Sequence, residues 1–309
     1  MSTLADKRFV LVTGKGGVGK TTVCAAEALA LAAKGKRVLV AMCNAKERLS
    51  VMLGAPPLPG GGVIRELCPN VWGVNMIPEQ ALEEYGALVL HSRVLYKTLF
   101  DNKYVRTFLR AVPGMQEWAM LGKAWWHTTE TLPDGSPKYD VVILDAPATG
   151  HGIDMLRVPR VILDVVPAGL LRRDAERAWQ LFQDPKACAI VVVTLPEEMP
   201  TTETIELSGA LAELGLTVAR IVVNGVLPPL FSREERAALE GLASPLPGRP
   251  LSPVDAVLLA GRDRATRERV QAESLGRLSR ELPVPPAFLP LLFEDAAKPE
   301  AIRQLAKRV

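Results

Sequence analysis

Nine residues constrain this chain more than any other stretch: Gly14-Lys15-Gly16-Gly17-Val18-Gly19-Lys20-Thr21-Thr22, set between an apolar run, Phe9 to Thr13, and a helical pattern, Thr21 to Ala33. Glycine weakens the interiors of helices and strands alike, so this density predicts a tight turn that joins a strand to a helix. The segment satisfies G-x-x-x-x-G-K-[ST] in the setting such a loop requires. The physics is that of an anion cradle. Backbone N–H groups turn inward, the helix N-terminus adds the positive end of its dipole, and Lys20 reaches the β and γ oxygens of a bound nucleotide. Thr21 is the candidate to place a hydroxyl on magnesium. Gly14 through Thr22 are therefore the expected contacts for a nucleotide, ATP with Mg2+.

Beyond this loop, apolar β-branched runs alternate with helical patterns: Arg37 to Met42, Val141 to Leu144, Ala189 to Thr194 followed by Thr202 to Leu214, and Val218 to Val223. Short, wholly apolar strands in βαβ alternation predict an α/β fold, a doubly wound and mainly parallel sheet with helices on both faces. Pro78 to Leu132 has helical spacing and no convincing strand, so a helical insertion subdomain is expected at about residues 78–132 within one domain spanning 1–309. Ser232 to Leu282 is charged and helix-like, broken at 244–250 by a proline-rich loop. Val284 to Val309 passes through prolines into a final basic amphipathic helix, and Pro56 to Gly62 reads as a mobile loop.

Composition narrows the partners. Hydrophobic residues make up 48% of the chain, ample for a core, and the net charge of +3 carries no Lys/Arg-rich block, so no nucleic-acid partner is expected. The polar start, Met1 to Arg8, predicts neither signal peptide nor anchor, and no apolar run is long enough for direct membrane insertion. Four scattered cysteines, Cys24, Cys43, Cys68 and Cys188, form no C-x-x-C pair and fit a reduced, cytoplasmic setting.

A second anchor follows at Tyr139-Asp140-Val141-Val142-Ile143-Leu144-Asp145, an apolar strand ending in a carboxylate. Asp145 either reaches magnesium, through water, or caps the turn at Ala146-Pro147. The residues after it, Ala146-Pro147-Ala148-Thr149-Gly150-His151 and then Met155-Leu156-Arg157-Val158-Pro159, together with the glycine loop resemble the arsenite-pump and tail-anchored-protein-targeting ATPase family, whose switch II reads D-T-A-P-T-G-H. Leu195-Pro196-Glu197 with Glu203-Thr204, then Val222-Val223-Asn224, and finally Leu289 to Phe293 with Glu294, fall in that family's order. The resemblance covers essentially the whole chain.

This likeness implies a deviant phosphate loop in which Lys15 reaches across to a partner subunit's nucleotide, hence a homodimer or a heterodimer with a related ATPase. It also implies that Asn224 recognises adenine and that His151 orients part of switch II. Departures bear on activity. Where the family reads D-P-A-H-x-L-S-D after the second strand, this chain has Asn44-Ala45-Lys46-Glu47-Arg48-Leu49-Ser50-Val51. An asparagine can hold the attacking water but cannot take its proton. Glu47 is either a substitute base or a solvated charge. The zinc-binding C-x-x-C of eukaryotic members is missing, and the cysteines are scattered where arsenite pumps use three as ligands. The apolar residues of the insertion, among them Leu95, Phe100, Phe108, Met115, Trp118 and Trp125, either form a groove for an apolar helical client or pack as core. Three functional readings follow: a dimeric, slowly hydrolysing ATP switch, a nucleotide-sensing pseudo-ATPase, and the energising subunit of an arsenite or anion pump.

Overall fold

Strands with no polar face must be covered on both sides, and the arrangement of this chain follows from that requirement. The computed structural model describes residues 4–89, 115–242, 252–293 and 298–309. Within them, β1 (Phe9–Thr13), α1 (Lys20–Ala32), β2 (Val38–Cys43), α2 (Leu49–Leu53), β3 (Arg65–Cys68), β4 (Val71–Met76) and α3 (Pro78–Val89) come first. After residue 114 follow α4 (Met115–Trp126), β5 (Val141–Asp145), α5 (Thr149–Val165), α6 (Leu170–Gln183), β6 (Cys188–Thr194) and α7 (Glu198–Glu213). The chain closes with β7 (Val218–Val226), α8 (Arg233–Glu240), α9 (Pro253–Glu281), β8 (Pro286–Pro290) and α10 (Pro299–Ala306).

The strands form one sheet in the order β3-β4-β2-β5-β1-β6-β7-β8. All pairs are parallel except β3 with β4. Alternation along each strand divides the interior in two. Phe9, Leu11, Leu39, Ala41, Val142 and Leu144 pack with α3 to α7 on one face. On the other, Val10, Val12, Val38, Val40, Val141 and Ile143 pack with α1, α2 and α10. The expected α/β doubly wound sheet is the observed fold.

Three strands escape the sequence reading. Gly73 and Asn75 interrupt the apolar pattern of β4, which nevertheless pairs along its whole length with β2. Its partner β3 begins with the exposed Arg65 and Glu66. At the opposite edge, β8 starts and ends in proline, a residue that lacks the N–H for a ladder and is tolerated at a sheet edge. The final basic helix, α10, lays Ala301, Ile302 and Leu305 against the core rather than standing free.

Two parts of the insertion can be followed. Helix α4 buries Trp118, Ala119, Met120, Leu121, Ala124 and Trp125 in the core on the α5 side of the sheet. For these residues packing, not a groove, is the outcome. Leu95, Phe100 and Phe108 lie outside the described residues, as does the proline-rich break at 244–250. Pro56 to Gly62 is an irregular loop, as its composition suggests.

Trp118 is fully buried and the largest such side chain among the described residues. Trp118→Ala should destabilise the fold by about 3–5 kcal/mol, the usual cost of emptying an aromatic site. The urea midpoint measures it, and a negligible shift would place α4 outside the cooperative core.

Candidate nucleotide-binding site

The sheet order creates a crevice. From β1 the chain crosses by α1 to β2 on one face, while from β5 it crosses by α5 and α6 to β6 on the other, so the connections diverge at the carboxyl ends of β1 and β5. Ligands of open α/β sheets sit at such a divergence. Parallel pairing sets Val12 opposite Asp145, and Asp145 therefore ends beside the start of the glycine loop.

Gly14 leaves β1 at φ 144°, and a Cβ on it would lie 2.1 Å from the carbonyl oxygen of Val193. No side chain fits there. Gly19, at φ 91°, precedes the first residue of α1, and a Cβ on it would meet Asn224 Nδ2 at 2.3 Å. Between them, Gly16 and Gly17 are exposed at the loop tip while Val18 is buried in the core, which anchors the turn. Thr22 is half-buried in the first turn of α1.

Lys20 Nζ donates to the carbonyl oxygens of Gly14 at 3.1 Å and Lys15 at 3.0 Å, so it lies curled within its own loop. Burial pulls its ammonium below the usual lysine range, with Asp145 acting in opposition. Thr21 Oγ1 donates to Asp145 Oδ2 at 2.6 Å. Cys24, one turn further along α1, lies near enough to the Asp145 carboxylate to ease its burial slightly. Asp145 is only 5% exposed, and desolvation pushes its carboxyl above the normal aspartate range despite Thr21, Lys20 and Cys24. A buried carboxylate beside a threonine hydroxyl is a hard-oxygen set suited to Mg2+. The incomplete compensation of its charge is what a cation would relieve.

On the opposite side of the loop, Asn224 Nδ2 donates to the carbonyl oxygen of Val18 at 3.0 Å. Two contacts fix this region. Buried Glu27 of α1 accepts from Arg220 of β7 at 2.7 Å. Gln271 of α9 both accepts from Leu227 N at 2.8 Å and donates to Leu227 O at 2.9 Å, holding the chain just after β7. Lys15 Nζ is paired with Glu203 Oε1 of α7 at 2.6 Å.

The segment after β2 is organised differently from what a base would need. Asn44 is exposed in the left-handed region, φ 46°, and its N–H donates to Met76 O at 2.8 Å. Asn75 braces the next residue by accepting from Ala45 N at 3.2 Å and donating to Ala45 O at 2.8 Å. Glu47 accepts from Ser50 N at 2.9 Å and from Ser50 Oγ at 2.6 Å. Both of its oxygens are thus engaged by Ser50, one on the backbone N–H and one on the hydroxyl, in the first turn of α2. His151 lies in the first turn of α5, and the reading of its side chain falls outside the described part of the structure.

Cys24 packs on one face of the sheet and Cys43 and Cys188 on the other, so the sheet itself keeps them apart. Burial pushes the Cys43 thiol far up and that of Cys188 up to about 12. Among the described residues, no group of three His, Cys, Asp or Glu side chains is placed to hold a metal.

Sequence reading overlooked three residues here. Cys24 was legible as a neighbour of Thr21, since positions three apart share a helix face. Glu203 lies 188 positions from Lys15 and Asn75 lies 30 from Ala45, and separations of that kind leave no local signal.

Comparison with known proteins follows the same lines. The profile of the family described as anion-transporting ATPase matches residues 7–168 and 170–237. The ATPase BagA of Mycobacterium tuberculosis is 29% identical over 251 residues, which is 78% of this chain and 72% of that protein. An arsenical pump-driving ATPase of Escherichia coli is 26% identical over 328 residues, 94% of this chain and 54% of that protein. Another, of Acidiphilium multivorum, is 27% identical over 276 residues, 81% of this chain and 46% of that protein. This chain thus spans about half the length of the two pump-driving ATPases.

Since metal requires the ionised carboxylate and burial raises the Asp145 carboxyl, protonation competes with Mg2+ at a higher pH than for an exposed aspartate. The Mg2+-dependent part of nucleotide affinity should therefore fall as pH drops from neutral to mildly acidic, and Asp145→Asn should remove it throughout. Titrating a fluorescent ATP analogue with Mg2+ or with a chelator reads this directly. A metal-dependent increment that is flat with pH, or that survives in Asp145→Asn, would count against this carboxylate.

Proposed function

Because the chain belongs to the anion-transporting ATPase family, we propose that it is a cytoplasmic ATP-dependent switch that works as a pair of chains, with slow hydrolysis coupled to a protein partner. The observation that carries this reading is the 2.6 Å hydrogen bond from Thr21 to Asp145, which joins the phosphate loop to the strand that leads into α5.

In this reading Lys20 exchanges the carbonyls of Gly14 and Lys15 for nucleotide phosphates, and loop N–H groups supply the rest of the cradle. Thr21 and Asp145 hold Mg2+, which would neutralise developing phosphate charge. Asn224 would recognise the adenine and Lys15 would serve the nucleotide of the second chain. Nucleotide state passes from Asp145 into α5, which packs against α4, α6 and α7. The apolar helical client implied by resemblance would meet the chain near the insertion.

A second reading, a pseudo-ATPase that senses nucleotide without turnover, is favoured by a specific pair of observations. Asn44 has no proton-accepting carboxylate, and Glu47 is engaged by Ser50. The pump reading has the names of relatives in its favour but not the cysteines, which the sheet divides. No helix among the described residues is long and apolar enough to cross a membrane.

Single-turnover hydrolysis separates the first two readings. The native chain should bind ATP and turn it over slowly, and Lys20→Ala should abolish turnover. Asn44→Asp should speed hydrolysis by roughly 10²-fold or more, since it restores a base at a backbone conformation that aspartate tolerates. Binding without any native turnover, gained only in Asn44→Asp, would favour the pseudo-ATPase.

A further inference from the structure

Lys15, near the start of the loop, has its side chain tied to a distant element of its own chain. Its ammonium lies 2.6 Å from Glu203 Oε1 in the second turn of α7, and both side chains are about 30% exposed, at 31% and 29%. Residues on either side of Glu203 hold α7 in place: Thr204 is buried, and Thr202 Oγ1 accepts from Arg277 Nη1 of α9 at 3.0 Å. Helix α7 also packs against α5, the helix that follows Asp145. The ion pair therefore bridges the phosphate loop to the helix layer that borders switch II.

We propose that Glu203 is a positioning residue that acts through Lys15: it holds the lysine on its own chain and releases it only when a second chain presents nucleotide phosphates. This rests on the reading of Lys15 as a group that serves the partner's nucleotide. The electrostatics sets the order of events. A triphosphate carries several negative charges against one on the glutamate, so it outcompetes Glu203, whereas a chain pair without nucleotide offers Lys15 nothing better. Glu203 thereby biases pairing toward the nucleotide-bound state. A partly exposed pair of this kind is weak enough to be broken, contributing roughly two- to fivefold per chain. Each pair of chains breaks two such contacts, so the pairing constant is held back by about four- to twenty-five-fold.

The experiment measures self-association of the full chain by sedimentation, with Mg2+ and a non-hydrolysable ATP analogue, for the native protein, Glu203→Gln, Lys15→Ala and the double variant. Glutamine keeps the shape and helix propensity of glutamate and removes only its charge. Glu203→Gln is expected to associate about four- to twenty-five-fold more tightly than native, with the gain shrinking as salt screens the native contact. Lys15→Ala is expected to lose association, and the double variant to match Lys15→Ala, because Glu203 has nothing left to act on. Thermal melting of Glu203→Gln at the native temperature keeps the comparison free of misfolding. If Lys15→Ala is impaired but Glu203→Gln associates no better than native, the latch is overturned alone. The same holds if Glu203→Gln strengthens association equally in the Lys15→Ala background. Association of Lys15→Ala equal to native, or none in any of the four proteins, would overturn the paired-chain reading together with the latch.

Discussion

A carboxylate placed out of water is the constraint on which the rest of this molecule turns. Asp145 ends a strand that is buried on both faces, and its position is set by parallel pairing with β1 on one side and β2 on the other. Thr21, Cys24 and Lys20 approach it from a single helix, yet desolvation still outweighs their combined support. The site is accordingly a place where the fold accepts an unfavourable charge, and a divalent cation is the natural compensation. Everything around it serves to hold that charge in register with the glycine loop.

The loop has little freedom of its own. At Gly14 the Val193 carbonyl stands where a side chain would begin, and at Gly19 the Asn224 amide does. The same close approach that requires glycine brings the ends of β6 and β7 against the loop. Glu27 with Arg220, and Gln271 with the backbone of Leu227, extend this rigidity to the far side of the site. Against that background, the two lysines are the adjustable parts. Lys20 is held by carbonyl oxygens and Lys15 by a carboxylate, and both kinds of contact can be exchanged for phosphate.

The segment after β2 carries no carboxylate free to act as a base: Asn44 is an amide and Glu47 is bound to Ser50. Asn44 has no carboxylate to accept a proton, and its left-handed backbone is one that asparagine and aspartate share. The turn is not loose: Asn75 braces Ala45 and Glu47 is bound to Ser50 of α2. A well-built segment that lacks a base is a different matter from a degraded one. The cysteines are kept apart, since a sheet stands between Cys24 on one face and Cys43 and Cys188 on the other.

From the sequence alone, the nine-residue loop, the five apolar strands named at the outset and the carboxylate of Asp145 were legible, because each is a local pattern: glycine density, β-branched runs and a charge ending an apolar strand. Edge strands β3 and β8 were not, because exposed charges and prolines suit an edge and obscure a strand's signature. Nor was the fate of Trp118 and Trp125, since periodicity identifies an apolar face without saying what covers it. Tertiary structure alone decided that α4 lies in the core, that Cys24 comes near Asp145, that Glu47 is held by Ser50 and that Lys15 rests on Glu203. Most of these are contacts between residues far apart in the chain. Parallel strands joined by long crossovers bring such residues together, and no neighbouring sequence records the meeting.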